Sequence, residues 1–240
     1  MAGRLVAGVD EAGRGPVLGP LVVACAVTDD PASLTKAGVK DSKLLSPSAR
    51  ERLETDLKSR LRGYSVVVIE PGEIDRERKR RSLNAIEGDM FVQAAVEAAL
   101  AARTAALDVL EADAADAHEP NFRAMLVTGL AVHAATLRVA RVVAEHKADA
   151  RYPSVGAASI LAKVERDRRV RALGEKEGAD IGSGYPADPV TMQFLRDYIR
   201  ANGDVPPFAR RSWETSAHLL KEAGTRDHSL DQFAKDGAPP

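Results

Sequence analysis

Three times along this chain an apolar run closes on an acid. "RLVAGVD" (Arg4 to Asp10) and "ALDVLEAD" (Ala106 to Asp113) have this form, and "VVAEHKAD" follows with Asp149 at its end. Short valine-rich runs bounded by glycine and turn residues read as strands. A carboxylate at the exit of a buried strand is costly unless a cation or hydrogen-bond donors meet it. Glu11 directly follows Asp10, which brings the acids to four. In a plain strand those two side chains point to opposite faces, so the chain must turn directly after Asp10 if both serve one site. The following "AGRG" permits such a turn.

Four carboxylates on neighbouring strand ends form an all-oxygen site, suited to magnesium or manganese rather than zinc. Two like charges ~4 Å apart repel by about 4 kcal/mol at an effective dielectric near 20. Such a cluster therefore calls for divalent ions, and it suits two-metal phosphodiester chemistry. The five histidines show no ligand pair at helical spacing, and the single cysteine, Cys25, sits in an apolar run and reads as a small buried hydrophobe.

Further strands are read at Pro20 to Thr28, Tyr64 to Glu70 and within Leu137 to His146. Helices are read from Ser46 or Ser48 to near Gly63, and over Asn84 to Arg103, Asn121 to Gly129, Pro153 to Gly178, Thr191 to Ala201 and Ser212 to Ala223. Strands first and then strands alternating with helices predict a mixed sheet covered by helices. The expected organisation is a catalytic domain over 1–180, a C-terminal helical portion over 181–224 and a polar, disordered tail over 225–240.

Composition narrows the function classes. With 34 basic and 35 acidic side chains the net charge is -1, so any polyanion is held by a local patch and not by bulk attraction. No apolar stretch is long enough to span a bilayer, and a cytoplasmic protein that engages no membrane, and is a monomer, is expected. "GRGPVLG" resembles a dinucleotide fingerprint, but its glycine spacing is off by one and Pro16 and Pro20 obstruct the helix that would hold a pyrophosphate. No G-K-[ST] is present, which excludes a phosphate loop of the NTPase kind.

The ordered set "GVDEAGRGPVLGPLVVA", "VKDSKLLS", "EADAAD", "VVAEHKADARYPSVGAASILAKVERD", "GSGYPADP" and "RRSWET" resembles type 2 ribonuclease H (ribonuclease HII), most closely its archaeal branch. The resemblance covers roughly Leu5 to Glu214. It implies the ribonuclease H-like α/β fold, a mixed five-stranded sheet flanked by helices with a helical C-terminal portion. It also implies an endoribonuclease that cuts RNA-DNA hybrids and single ribonucleotides embedded in duplex DNA, leaving 5'-phosphate and 3'-hydroxyl ends. The family's metal-binding catalytic acids fall on Asp10, Glu11, Asp113 and Asp149, with Mg2+ or Mn2+ as cofactor. Gly13, Arg14 and Gly15 fall where the family grips a ribonucleotide 2'-hydroxyl, largely through backbone, and the arginine side chain is expected to matter less. Tyr185 matches the tyrosine that stacks on the following deoxyribose, and Ser42 and Lys43 match phosphate contacts.

Outside those motifs the residues read more plainly. Lys147, Lys163 and Arg166 are candidates for phosphate contact or simple solvation, the basic run Arg76 to Ser82 is either a contact for a nucleic-acid backbone or a solvated face, and Trp213 reads as a core anchor. The rival function is a catalytically inactive nucleic-acid-binding module of the same fold. Four acids beside phosphates argue against it, because they would repel what the module binds. In the tail, "DHSLDQFAK" resembles a sliding-clamp-binding peptide, with Leu230 and Phe233 as its anchors. Asp227 and Ala234 depart from that pattern, so weak binding is expected.

Overall fold

The apolar runs at the start of the chain pair with one another. In the computed structural model, which describes residues 4–39 and 45–235 and the side chains through 224, strand β1 (Val6–Ala12) lies antiparallel to β2 (Leu21–Thr28). β2 lies antiparallel in turn to β3 (Gly63–Ile69). Helices α1 (Pro31–Ala37) and α2 (Pro47–Arg60) come between β2 and β3. Asp30 caps α1 by accepting from Ser33 N at 3.2 Å, and Ser46 caps α2 by accepting from Ala49 N at 3.3 Å.

After β3 come α3 (Pro71–Glu77), α4 (Leu83–Ala101), the two-residue β4 (Ala106–Leu107), β5 (Val109–Asp113) and α5 (Glu119–Val132). Then follow β6 (Arg138–Val139), β7 (Val142–Glu145), α6 (Ala148–Arg151), α7 (Pro153–Glu177), α8 (Pro189–Asn202) and α9 (Glu214–Lys235). β5 runs parallel to β1 and β7 parallel to β5, giving a five-stranded sheet of order β3-β2-β1-β5-β7. The predicted mixed sheet is therefore present.

Several expectations need adjustment. The run Leu137 to His146 is two strands: β6 pairs with β4 in a separate two-stranded ladder, and β7 alone joins the main sheet. The short helices α1 and α3 went unread, although Asp30-Pro31 and Glu70-Pro71 place a proline at the first helical position, where its missing N–H costs nothing. Helix α9 runs past Ala223 to Lys235, since no proline intervenes to stop it; side chains beyond 224, Leu230 and Phe233 included, lie outside the described residues. Ser42 and Lys43 also lie outside them.

By its internal contacts the chain divides into two units. The first holds the residues up to Arg14, Leu21–Ile69 and Arg80–Arg168; the second holds Gly15–Pro20, Glu70–Lys79 and the chain from Arg169 on. In the first unit β2 is buried along its whole length. One of its faces packs Val22, Ala24 and Ala26 against Leu34, Leu57, Ala158 and Leu161 from α1, α2 and α7. Gly8 lets α7 approach β1: a Cβ there would lie 2.1 Å from the backbone carbon of Ser154. Arg168 and Lys58 both pair with the buried Glu54, and Arg50 pairs with Asp167, which joins α2 to α7.

In the second unit Val17, Leu18, Ile181, Leu195, Ile199 and Phe208 form the core. Residues 15–20 belong here because Val17 N and Leu18 N donate to Gly184 O at 2.8 and 3.1 Å, and the buried Arg210 donates through Nε and Nη2 to Gly19 O. Trp213 packs against this core with the Arg210 guanidinium 4.7 Å from its ring centroid, which agrees with its reading as an anchor. The thiol of Cys25 is fully buried, as read from its sequence context, and burial pushes its pKa up.

Candidate active site

β1 and β5 are parallel neighbours in register at Val9 and Ala112, so Asp10 and Asp113 leave the sheet side by side. β7 continues the set, with Glu145 opposite Asp113. Two residues later Lys147 adopts a left-handed backbone (φ 57°), which reverses the chain into α6 and carries Asp149 back over the strand ends. For a side chain with a Cβ that conformation costs about 1–2 kcal/mol, so packing and hydrogen bonds must hold it. One such bond runs from Ala148 N to Asp113 Oδ1, at 3.4 Å.

The result is a cluster of carboxylates. Oxygens of Asp10, Asp113 and Asp149 lie within 4.8 Å of one another. Burial, then the neighbouring Glu11, push the Asp10 carboxyl well above its usual range, with Asp113 adding to the push. Ser159 and Lys163 on α7 oppose it: Ser159 hydrogen-bonds Asp10, and Lys163 Nζ donates to Ser159 Oγ at 2.7 Å. Lys163 thus faces the acids, whereas Arg166 is buried and is no candidate for a phosphate.

Glu11 is not in the close trio. The turn proposed directly after Asp10 does not occur there, because β1 continues to Ala12 and adjacent side chains alternate. Even so, Glu11 is electrostatically part of the site. Burial and then Asp113 raise its carboxyl from 4.5 to about 7, against the pull of Arg14. Its Oε2 is buried and makes no hydrogen bond among the described residues. Clustered carboxylates with no soft donor among them are the donor set for a hard divalent cation. The residues fit magnesium or manganese on that ground.

The chain turns at Gly13, whose φ of 92° lies in the left-handed region. Arg14 then directs its side chain back to α4, forming an ion pair with the fully buried Glu87 and donating to Asn84 Oδ1 at 2.6 Å. Asn84 Nδ2 donates onward to Asp116 Oδ2 at 2.7 Å, in the loop after β5. In the second unit Gly15 is close to Tyr185: a Cβ on Gly15 would meet the ring at 3.8 Å. The Tyr185 side chain is exposed. Its loop is fixed from behind, since Gly184 N donates to Thr191 Oγ1 and Ser183 donates twice to Asp188 Oδ2.

Four other residues complete the picture. His146 donates its backbone N–H to Glu119 Oε1 at 2.7 Å and sets its ring Nε2 3.3 Å from Ala117 O, tying the turn after β7 to the start of α5. Glu87, Asn84 and Ser159 were not singled out from sequence. The one available signal was an acid, Glu87, beside the apolar Ile86, Met90 and Phe91 in one helical stretch.

Comparison with known proteins agrees with this geometry. A family model described as Ribonuclease HII matches residues 7–216. A ribonuclease HII from Pyrococcus abyssi is 43% identical over 232 residues, which cover 96% of this chain and 97% of that protein. The fold is similar to the crystal structure of ribonuclease H2 from Pyrococcus horikoshii OT3, with a TM-score of 0.81 and 42% identity over 92% of this chain and 99% of that one. It is also similar to a chain in the PCNA:RNase HII complex from Archaeoglobus fulgidus, with a TM-score of 0.75 and 39% identity over 89% of this chain and 96% of that one.

Proposed function

This chain belongs to the ribonuclease HII family, and from that premise we propose that it cuts at single ribonucleotides embedded in duplex DNA as well as within RNA-DNA hybrids. It is a metal-dependent endoribonuclease, and RNA-DNA hybrids are its substrate class. The observation that carries the catalytic part of this reading is the trio of carboxylates within 4.8 Å of one another, Asp10 and Asp113 from adjacent strands and Asp149 from α6.

Asp10, Asp113 and Asp149, with Glu11 as fourth ligand, would hold Mg2+ or Mn2+. Divalent ions held there would supply water activation and charge stabilisation at the leaving 3'-oxygen, the chemistry of a two-metal hydrolysis with 5'-phosphate and 3'-hydroxyl products. The remaining work belongs to the chain itself. Ser159 and Lys163 orient Asp10. Gly13, Arg14 and Gly15 offer backbone groups to the 2'-hydroxyl, the atom by which a protein tells RNA from DNA. Tyr185 stacks on the sugar that follows, and Ser42 and Lys43 contact phosphate. The tail is proposed to touch a sliding clamp weakly through Leu230 and Phe233, a reading supported by the relative solved with PCNA.

The test compares the protein with Asp113→Asn on a duplex carrying one ribonucleotide and on its all-DNA counterpart, in magnesium and in manganese. Cleavage of the first duplex alone is expected. Asp113→Asn should lower the rate on the order of a hundredfold or more, because it removes a ligand while nearly preserving shape. Equal cutting of both duplexes, or a near-normal rate for the variant, would refute this reading.

A further inference from the structure

We propose that Glu87 is a positioning residue for ribose recognition, acting through Arg14 to set the backbone of the Gly13–Arg14–Gly15 turn. The proposal rests on the reading that this turn meets the 2'-hydroxyl. It starts from a mismatch between cost and need. Glu87 has no exposed surface, and its neighbours on α4, Ile86, Met90 and Phe91, are buried and apolar. Its partner Arg14 is only half-buried, and an ion pair that buries one charge completely seldom stabilises a fold more than well-packed apolar side chains of similar volume would. Its distinctive contribution is geometric, because it accepts only one arrangement.

The arrangement here is specific. The guanidinium is planar, so contacts at two of its corners fix both its position and its tilt. Glu87 takes one corner, and Asn84 Oδ1 accepts from Nη2 at 2.6 Å. Asn84 in turn is held by Asp116, whose other oxygen accepts from His118 N at 2.8 Å. Arg14 sits between two glycines, the residues least able to define a backbone unaided. With its side chain held by α4, its peptide groups acquire a fixed direction. The same network joins the exit of β1 to the loop that follows Asp113. Both ends of it lie within the first unit.

A merely structural ion pair and a positioning one differ in what they perturb. Loss of positioning should appear in preference for ribose, and binding of metal by the acids should be unaffected. Affinity for a duplex with one ribonucleotide, relative to the all-DNA duplex, is measured in EDTA by fluorescence anisotropy; kcat and KM are measured separately in manganese. Glu87→Gln and Asn84→Ala should each reduce the affinity ratio by about fivefold and raise KM more than they lower kcat, with Mn2+ affinity by calorimetry held within about twofold. Adding Glu87→Gln to Arg14→Gln should cause little further loss, since both remove the same contact.

A folded Glu87→Gln with the original affinity ratio and KM would overturn the proposal, as would a parallel fall in Mn2+ affinity. If Glu87→Gln does not fold, Asn84→Ala decides by the same criteria, because Asn84 is only half-buried. Equal affinity of the unmodified protein for the two duplexes would instead overturn the 2'-hydroxyl reading itself, and this inference with it.

Discussion

Asp10 and Glu11 occupy successive positions of one strand, point to opposite sides, and are nonetheless both pushed towards their protonated forms. The consequence for stability has a definite sign. Glu11 ionises near 4.5 when unfolded and near 7 when folded, so between those values the folded state binds the extra proton. Stability of the metal-free protein therefore falls as pH rises through that window, by roughly 3 kcal/mol from this group. Below about 4.5 the penalty is absent; above about 7 it is complete. In EDTA, Tm should drop more between pH 5 and pH 8 for the unmodified protein than for Glu11→Gln, and manganese at pH 8 should restore much of the loss. Parallel pH profiles for the two proteins would show that Glu11 is not the group responsible. Asp10 and Asp113 were legible in the sequence because each closes an apolar run, a placement with few inexpensive explanations, whereas Asp149 lies in α6 beyond the end of β7. Glu87 was not legible, because an acid in an alanine-rich helix reads as solvent-facing until the partner that buries it is known, and Arg14 lies 73 residues earlier in the chain (87 − 14).

The elements were legible in proportion to the length of their patterns. β2 and α7 carry long, consistent signals, whereas α1 and α3 are seven residues each and announce themselves only by a proline after an acid. The break between β6 and β7 has no local signature at all; it depends on which neighbour each segment pairs with. Packing between elements was the least legible level. Gly8 illustrates why: within β1 it looks like a weak point, yet its missing Cβ is what admits the start of α7, the helix that also brings Ser159 and Lys163 to Asp10. Gly8→Ala sets a methyl group against backbone that has no rotamer to change. It should cost about 3 kcal/mol by urea denaturation and lower cleavage as α7 shifts. Gly224→Ala, where a Cβ meets nothing within 4 Å, is the matched control and should be neutral or slightly stabilising. A Gly8→Ala midpoint indistinguishable from the control would mean that the strand and helix yield more readily than close packing allows.

At the scale of the whole molecule the charge balance matters most. A net charge of -1 provides little long-range attraction to DNA, so the proposed action at single ribonucleotides would depend on local contacts or on a tether. The proposed clamp contact would supply a tether, because a second attachment raises the effective concentration of the catalytic unit at the duplex without any new contact at the site. Leu230 and Phe233 stand three apart, the spacing at which one helical turn presents both to an apolar pocket. Ala234 stands where such peptides usually carry a second ring, so much of the anchoring area is missing and the affinity should be low. Titration of the organism's own clamp into a peptide spanning Thr225 to Pro240 should saturate only at high micromolar concentration, on the order of -5 to -6 kcal/mol. Phe233→Ala should abolish that binding in the peptide. In the full-length protein the same change should leave cleavage of a short free duplex untouched and reduce only the stimulation that a clamp loaded on longer DNA provides. Equal binding by both peptides, or clamp stimulation that survives Phe233→Ala, would detach the tail from this role.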